Sequence, residues 1–139
     1  MQELKIEAKT ENLSEVLAFV DGQLEAQGCP MKAQMQIDLV IEELFVNIAH
    51  YAYAPGNGEA VIQMEVSEDA SLVTITMIDR GRPYNPLAKP DPDVALSAED
   101  RQIGGLGIYL VKKNVDEIGY IRREGQNILT VTKKIRGTG

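Results

Sequence analysis

Tryptophan is missing from this chain, cysteine and histidine occur once each, and aromatic residues make up only 5% of its 139 positions. The lone Cys29 cannot close an internal disulfide and has no companions at metal-cluster spacing, which leaves it as a small buried or half-exposed thiol. No apolar run approaches the ~20 residues that a membrane helix needs, so no membrane partner is expected. The opening, MQELKIEAKTE, lacks the basic start and apolar centre of a secretory leader, so a cytoplasmic protein is expected. Positive charge is scarce: 14 Lys and Arg stand against 21 Asp and Glu, for a net charge of -7. The one basic cluster, IRREGQNILTVTKKIRG, is interleaved with apolar residues at strand spacing. It reads as the solvated edges of a strand pair, which argues against direct nucleic-acid binding. An anionic ligand here would need local help from a cation or from backbone N–H groups.

What is present is the composition of a folded domain, with 44% hydrophobic and 25% charged residues. The length suits a single domain over 1–139 with one core. LKIEA alternates like a strand. Asn12 or Ser14 can cap a helix over Leu13 to Gln27, with Gly28 as its stop. A longer helix follows Pro30 and ends before the turn cluster APGNG; Ile37, Val40, Ile41, Leu44, Phe45 and Ile48 form its apolar series. Strands are expected over Glu59 to Val66 and Leu72 to Ile78, joined by SEDAS. The pattern then breaks from Arg80 to Ile103, in a stretch with four prolines. So long an aperiodic segment in a compact domain is often functional, and it reads as a lid at about 82–103. GGLGIYLVKKNVDEI opens with glycines and reads as a helix with Ile108, Val111, Val115 and Ile118 in register. Two last strands, around Tyr120 to Arg123 and Ile128 to Ile135, turn at EGQN. The order predicts an α+β two-layer sandwich, with a mixed, mainly antiparallel sheet and helices on one face.

The long helix carries a polar edge. At about 100° per residue, Glu43, Asn47 and His50 fall together on one flank of the apolar stripe, while Glu42 falls on the other. A side-chain amide oxygen such as that of Asn47 suits Mg²⁺, which keeps waters and phosphates as its other ligands. A carboxylate one turn away can take a proton from a hydroxyl or a water. The plainer alternative is that Glu43 and Asn47 solvate a helix shoulder and that His50 is structural.

Two glycine motifs follow. In MIDRGRPYNP, Asp79 at a strand end can accept a hydrogen bond from an exocyclic amine, and Gly81 lets a flat ring approach the backbone. The same letters also spell an ordinary Asp-x-Gly turn. In IGGLGIYLVKK, glycines before a helix leave its first N–H groups free for phosphate, or simply ease helix packing. Neither the Walker string nor the dinucleotide fingerprint with its preceding strand is present.

Glu-x-x-x-Asn on a helix, Asp-x-Gly after a strand, a lid, then Gly-x-Gly opening a helix is an ordered set. It resembles the ATP-binding (Bergerat-fold) superfamily of type II topoisomerases, sensor histidine kinases and mismatch-repair ATPases. Within it the chain is most similar to the anti-sigma factor serine/threonine kinases. The resemblance implies a histidine kinase-like ATPase fold, with ATP and Mg²⁺ as cofactors. It implies Asn47 as the metal ligand and Glu43 as general base, with His50 towards phosphate and Tyr51 against adenine. It further implies Asp79 on the adenine amine and Gly81 beneath the ring. Gly104, Gly105, Leu106 and Gly107 would wrap the phosphates, and Arg101 would be a lid cation for the γ-phosphate. The implied reaction is phosphoryl transfer to a serine or threonine of an anti-anti-sigma factor of the sulfate-transporter/antagonist type, with a sigma factor as a further partner. Exposed strands permit a homodimer through the sheet. Sister families carry Gly-Thr in the last strand pair where this chain has GQNILT, so the adenine-side threonine has no assigned counterpart.

Two other functions fit the residues. One is a nucleotide-binding interaction module that sequesters a partner without transferring phosphate; the other is a free-standing ATPase. Glu43 favours the kinase over the module, and the short chain argues against the ATPase.

Overall fold

The computed structural model describes residues 1–53, 56–88 and 105–136. Five strands form one sheet: β1 (Gln2–Glu7), β2 (Glu59–Val66), β3 (Leu72–Asp79), β4 (Glu117–Arg123) and β5 (Gln126–Lys134), in the order β1-β2-β3-β5-β4. Every pairing is antiparallel, so the expectation of a mixed sheet narrows to a purely antiparallel one. The helices are α1 (Leu13–Ala26), α2 (Met31–Asn47) and α3 (Gly105–Asn114).

Strand periodicity builds the core. In β3 every second residue is buried: Val73, Ile75, Met77 and then Asp79. These face the buried stripes of α1 (Val16, Val20, Leu24) and α2 (Ile37, Ile41, Leu44) in a single cluster. Asp79 therefore continues an apolar, core-facing row by one position. That is why a carboxylate at a strand end is only 6% exposed.

Helix ends follow local chemistry, with two departures. Asn12 does not cap α1 with its side chain; its amide instead donates to the Glu7 carbonyl at 3.0 Å, tying the helix start to β1. Gly28 does end α1, at φ +68, and the Cys29 N–H reaches back to the Leu24 carbonyl at 3.0 Å. The other departure lies after α3. The helix stops at Asn114, and Ile118 is a strand residue opposite Val131, although its spacing fits a helix equally well. Four apolar positions at helical spacing cannot distinguish a long helix from a short helix feeding a strand.

The last hairpin turns on two residues, Glu124 and Gly125, with φ of 52 and 78. Both lie in the left-handed region that a two-residue hairpin turn requires. Gln126 and Asn127, expected in the turn, therefore already belong to β5. In this register Asn127 stands directly opposite Asp79.

Candidate functional site

α2 does not end cleanly. After Asn47 the backbone widens into a π-type turn over Ile48–Ala52. Such widenings are rare and frequent at functional sites. Here it re-aims Tyr51 and Ala52, which line a cleft between the end of α2 and the inner face of the sheet. Leu44, Asn47 and Ile48 form its helix wall; Met77, Asp79, Leu129, Asn127 and Tyr120 form its floor; Tyr84 and Pro86 stand on the third side. Tyr51 and Tyr84 face each other with ring centres 6.3 Å apart and planes tilted by 32°. An apolar cleft with a few convergent polar groups is the usual form of a small-ligand site.

Asp79 sits at the centre of the polar groups. Its Oδ1 accepts the Gly81 N–H at 2.9 Å and the Asn127 side-chain amide at 2.9 Å. The turn it anchors is pressed onto the end of the helix: Arg82 N–H donates to the Ala52 carbonyl at 2.9 Å. A Cβ on Gly81 would collide with that same carbonyl group, so only glycine fits there. Arg122 steadies the turn from β4, donating to the Gly81 carbonyl at 2.8 Å. Tyr53 closes the arrangement by accepting the Arg80 N–H at 2.7 Å and donating to the Glu59 carbonyl at 2.6 Å.

Glu43 and Gly107 meet where α2 packs on α3. A Cβ on Gly107 would strike the Glu43 carboxylate oxygen. Burial pushes the Glu43 carboxyl above its ordinary value, and the neighbouring charge of Glu42 adds to the rise. Asn47, one turn on, buries its side-chain nitrogen without a hydrogen-bond partner among the described residues. A buried donor left unpaired costs about 1–3 kcal/mol, which a bound ligand or water can recover.

The structure thus brings Asn47, Tyr51 and Asp79 into one cleft, with Gly81 packed beneath its rim and Glu43 beside Gly107 at the next helix contact. His50 is exposed and does not line the cleft; its ring stands edge-on to Tyr51 at 6.0 Å. His50 lies within the π-type turn rather than in α2 itself. Gly105 and Leu106 open α3, while Arg101, Gly104 and residues 89–103 of the expected lid lie outside the described residues. Sequence reasoning missed three polar cleft residues: Asn127, Tyr120 and Tyr84. The first two could have been found by counting inward parity along β4 and β5, had the turn been set at Glu124 and Gly125. Tyr84, among prolines, carried no periodic signal.

The donor set constrains what could bind. Among the described residues no group of three or more His, Cys, Asp or Glu could cage a metal ion. One amide oxygen, from Asn47, beside an open cleft instead suits Mg²⁺ brought in with phosphates, since that ion needs only one or two protein ligands. A flat, amine-bearing ring suits an apolar cleft whose buried polar groups include a carboxylate.

Comparison with known proteins agrees. The family described as "Histidine kinase-like ATPase domain" matches residues 6–133. The serine/threonine-protein kinase BtrW of Bordetella bronchiseptica is 31% identical over 101 residues, covering 73% of this chain and 70% of that protein. The serine-protein kinase RsbW of Bacillus mycoides is 29% identical over 138 residues, covering 96% of this chain and 84% of that protein. The fold matches the solved structure of the RsbU and RsbW domains of Rv1364c from Mycobacterium tuberculosis at a TM-score of 0.68 and 19% identity, over 97% of this chain and 33% of that one. It also matches the SiaB-SiaC complex from Pseudomonas aeruginosa at a TM-score of 0.60 and 16% identity, over 96% of this chain and 89% of that one.

Proposed function

Because the chain belongs to the histidine kinase-like ATPase domain family, we propose that it is an ATP-dependent serine/threonine protein kinase acting as an anti-sigma regulatory factor in the cytoplasm. Its substrate is a small anti-anti-sigma domain of the sulfate-transporter/antagonist type, and a sigma factor is the second partner. A second copy of the chain is a third, through the outer sheet face where Val61, Ile78, Ile128 and Ile121 stand in one register. The observation that carries the kinase reading is the meeting of Glu43 with Gly107, one turn from Asn47 and the cleft that holds Asp79.

Asp79 accepts the adenine amine, and Tyr51 lies along the ring. The triphosphate runs towards the start of α3, where free N–H groups and the helix dipole favour negative charge. Gly105, Leu106 and Gly107 at the start of α3 would wrap it, while Gly104 and the lid cation Arg101, expected to act on the same phosphates with His50, lie outside the described residues. Asn47 would hold Mg²⁺, which when bound would offset phosphate charge in a protein of net charge -7. Glu43 takes the proton from the partner's serine or threonine hydroxyl. That oxygen bonds to the γ-phosphorus as the bond to the β–γ bridging oxygen breaks, releasing ADP. A carboxyl raised by burial is a better base than an ordinary one.

The test is transfer of label from γ-labelled ATP to a recombinant domain of that type. Wild-type protein should phosphorylate it on serine or threonine. Glu43→Ala should bind ATP but transfer at least ~10²-fold more slowly. Transfer at the wild-type rate would remove Glu43 as the base. Label released only to water would make the protein an ATPase, and nucleotide-dependent capture without transfer would make it an interaction module.

A further inference from the structure

We propose that Asn127 is a positioning residue that decides which oxygen of Asp79 meets the ligand, and so selects a purine with a 6-amino group over one with a 6-oxo group. The inference rests on the nucleotide reading above and deepens it.

Asn127 is 6% exposed, and its amide is used at both ends. The nitrogen donates to Asp79 Oδ1 at 2.9 Å and to the Arg82 carbonyl at 2.8 Å. The oxygen accepts the Tyr120 hydroxyl at 2.5 Å and, more distantly, the Tyr84 N–H at 3.4 Å. A flipped amide would set its oxygen against two acceptors, the Asp79 carboxylate and the Arg82 carbonyl. Chemistry therefore fixes its orientation, and the Tyr120 hydroxyl holds it from the far side.

The consequence falls on Asp79. Its Oδ1 already receives two N–H donors, from Asn127 and Gly81. Both of these donors fall on Oδ1, which leaves Oδ2 as the oxygen available to a ligand in the cleft that Asp79 lines. A carboxylate oxygen is an acceptor only. It pairs with the N–H of a 6-amino group and repels a 6-oxo group. A hydroxyl in place of the amide could rotate between donating and accepting; the asparagine cannot. Tyr120 acts one step further out, on the orientation of Asn127.

The experiment is calorimetric titration of ATP and of inosine triphosphate, which differs in carrying a 6-oxo group, into wild-type protein, Asn127→Asp and Tyr120→Phe. Wild type should prefer ATP by at least about tenfold. Asn127→Asp keeps the shape but sets a second carboxyl against Asp79, so the pair shares one proton. Asp79 can then hold that proton and donate to a 6-oxo group, and the preference should fall about tenfold. Tyr120→Phe removes one hydroxyl and should lower the preference about threefold. Should Asn127→Asp fail to fold, Tyr120→Phe decides alone. A preference unchanged in both variants overturns the assignment while leaving nucleotide binding intact. So does a wild type that binds both triphosphates equally. A wild type that binds neither overturns the nucleotide reading and this inference with it.

Discussion

Gly107→Ala offers a test in which stability and activity should part company. The added Cβ would meet the Glu43 carboxylate oxygen well inside van der Waals contact. That oxygen must retreat by on the order of 1 Å to restore an ordinary separation. The obstacle is the far end of a flexible side chain rather than backbone, so the retreat is a rotamer adjustment costing about 0.5–1.5 kcal/mol. Replacing glycine by alanine in a helix returns up to about 1 kcal/mol, less in the first turn where residue 107 sits. The two effects nearly cancel. The midpoint of chemical unfolding should therefore move little. Phosphoryl transfer should not be spared, because a base displaced by about 1 Å can lose on the order of 10²-fold in rate. Single-turnover transfer at saturating ATP isolates this step from any change in nucleotide affinity. The double variant Glu43→Ala/Gly107→Ala should recover the full helix gain, since nothing remains for the methyl group to strike. Wild-type transfer by Gly107→Ala would refute the placement of Glu43 at the reacting hydroxyl. A large loss of stability would refute the claim that the carboxylate can yield.

Three further outcomes follow from the same geometry. Asn47→Ala should weaken binding of Mg²⁺-ATP more than binding of metal-free ATP in paired calorimetric titrations; equal losses would end its metal role. Gly81→Ala forces a methyl group into the Ala52 carbonyl and to 2.6 Å from the Ala52 Cβ. Backbone cannot yield as a side chain does, so the variant should lose about 1–3 kcal/mol in urea unfolding. Asp38→Asn should reveal a pH-dependent strain between α1 and α2. Burial, then the hydrogen bond and charge of Asp21, then Glu25, push the Asp38 carboxyl up to about 7. The folded state thus holds a proton that the unfolded chain releases near pH ~4, so this contribution to stability is present below that pH and lost as pH rises through about 7. The carboxyl is partly solvated, which reduces the effect. The variant should gain about 1 kcal/mol over wild type near pH ~8 and nothing near pH ~4; a constant difference across that range would sink the argument.

Local pattern was enough for much of this molecule. The apolar series from Ile37 to Ile48 has only one solution as a buried helix face, and it carries Glu43 and Asn47 along on a defined flank. Alternation in Leu72 to Ile78 made a strand, and Gly28 ended α1 because a left-handed residue was needed there. Those signals act within a few residues, so a linear reading recovers them. The site depended on longer-range choices. Whether Asn127 lay in a turn or on a strand turned on the hairpin closing at Glu124 and Gly125 instead of over four residues. A shift of one position would have sent its amide to the opposite face of the sheet. His50 falls in a π-type turn over Ile48–Ala52, which the 3.6-residue spacing of the helix stripe does not announce. The helix stripe, the strands and the glycine turns were legible along the chain, because periodicity and backbone freedom are properties of neighbouring residues. That Asp79, Asn127, Tyr120 and Tyr84 join one hydrogen-bonded network was settled in three dimensions, because strand register and helix termination depend on contacts such as those of Asn127 with Asp79 and Tyr84, which lie far from it in the chain.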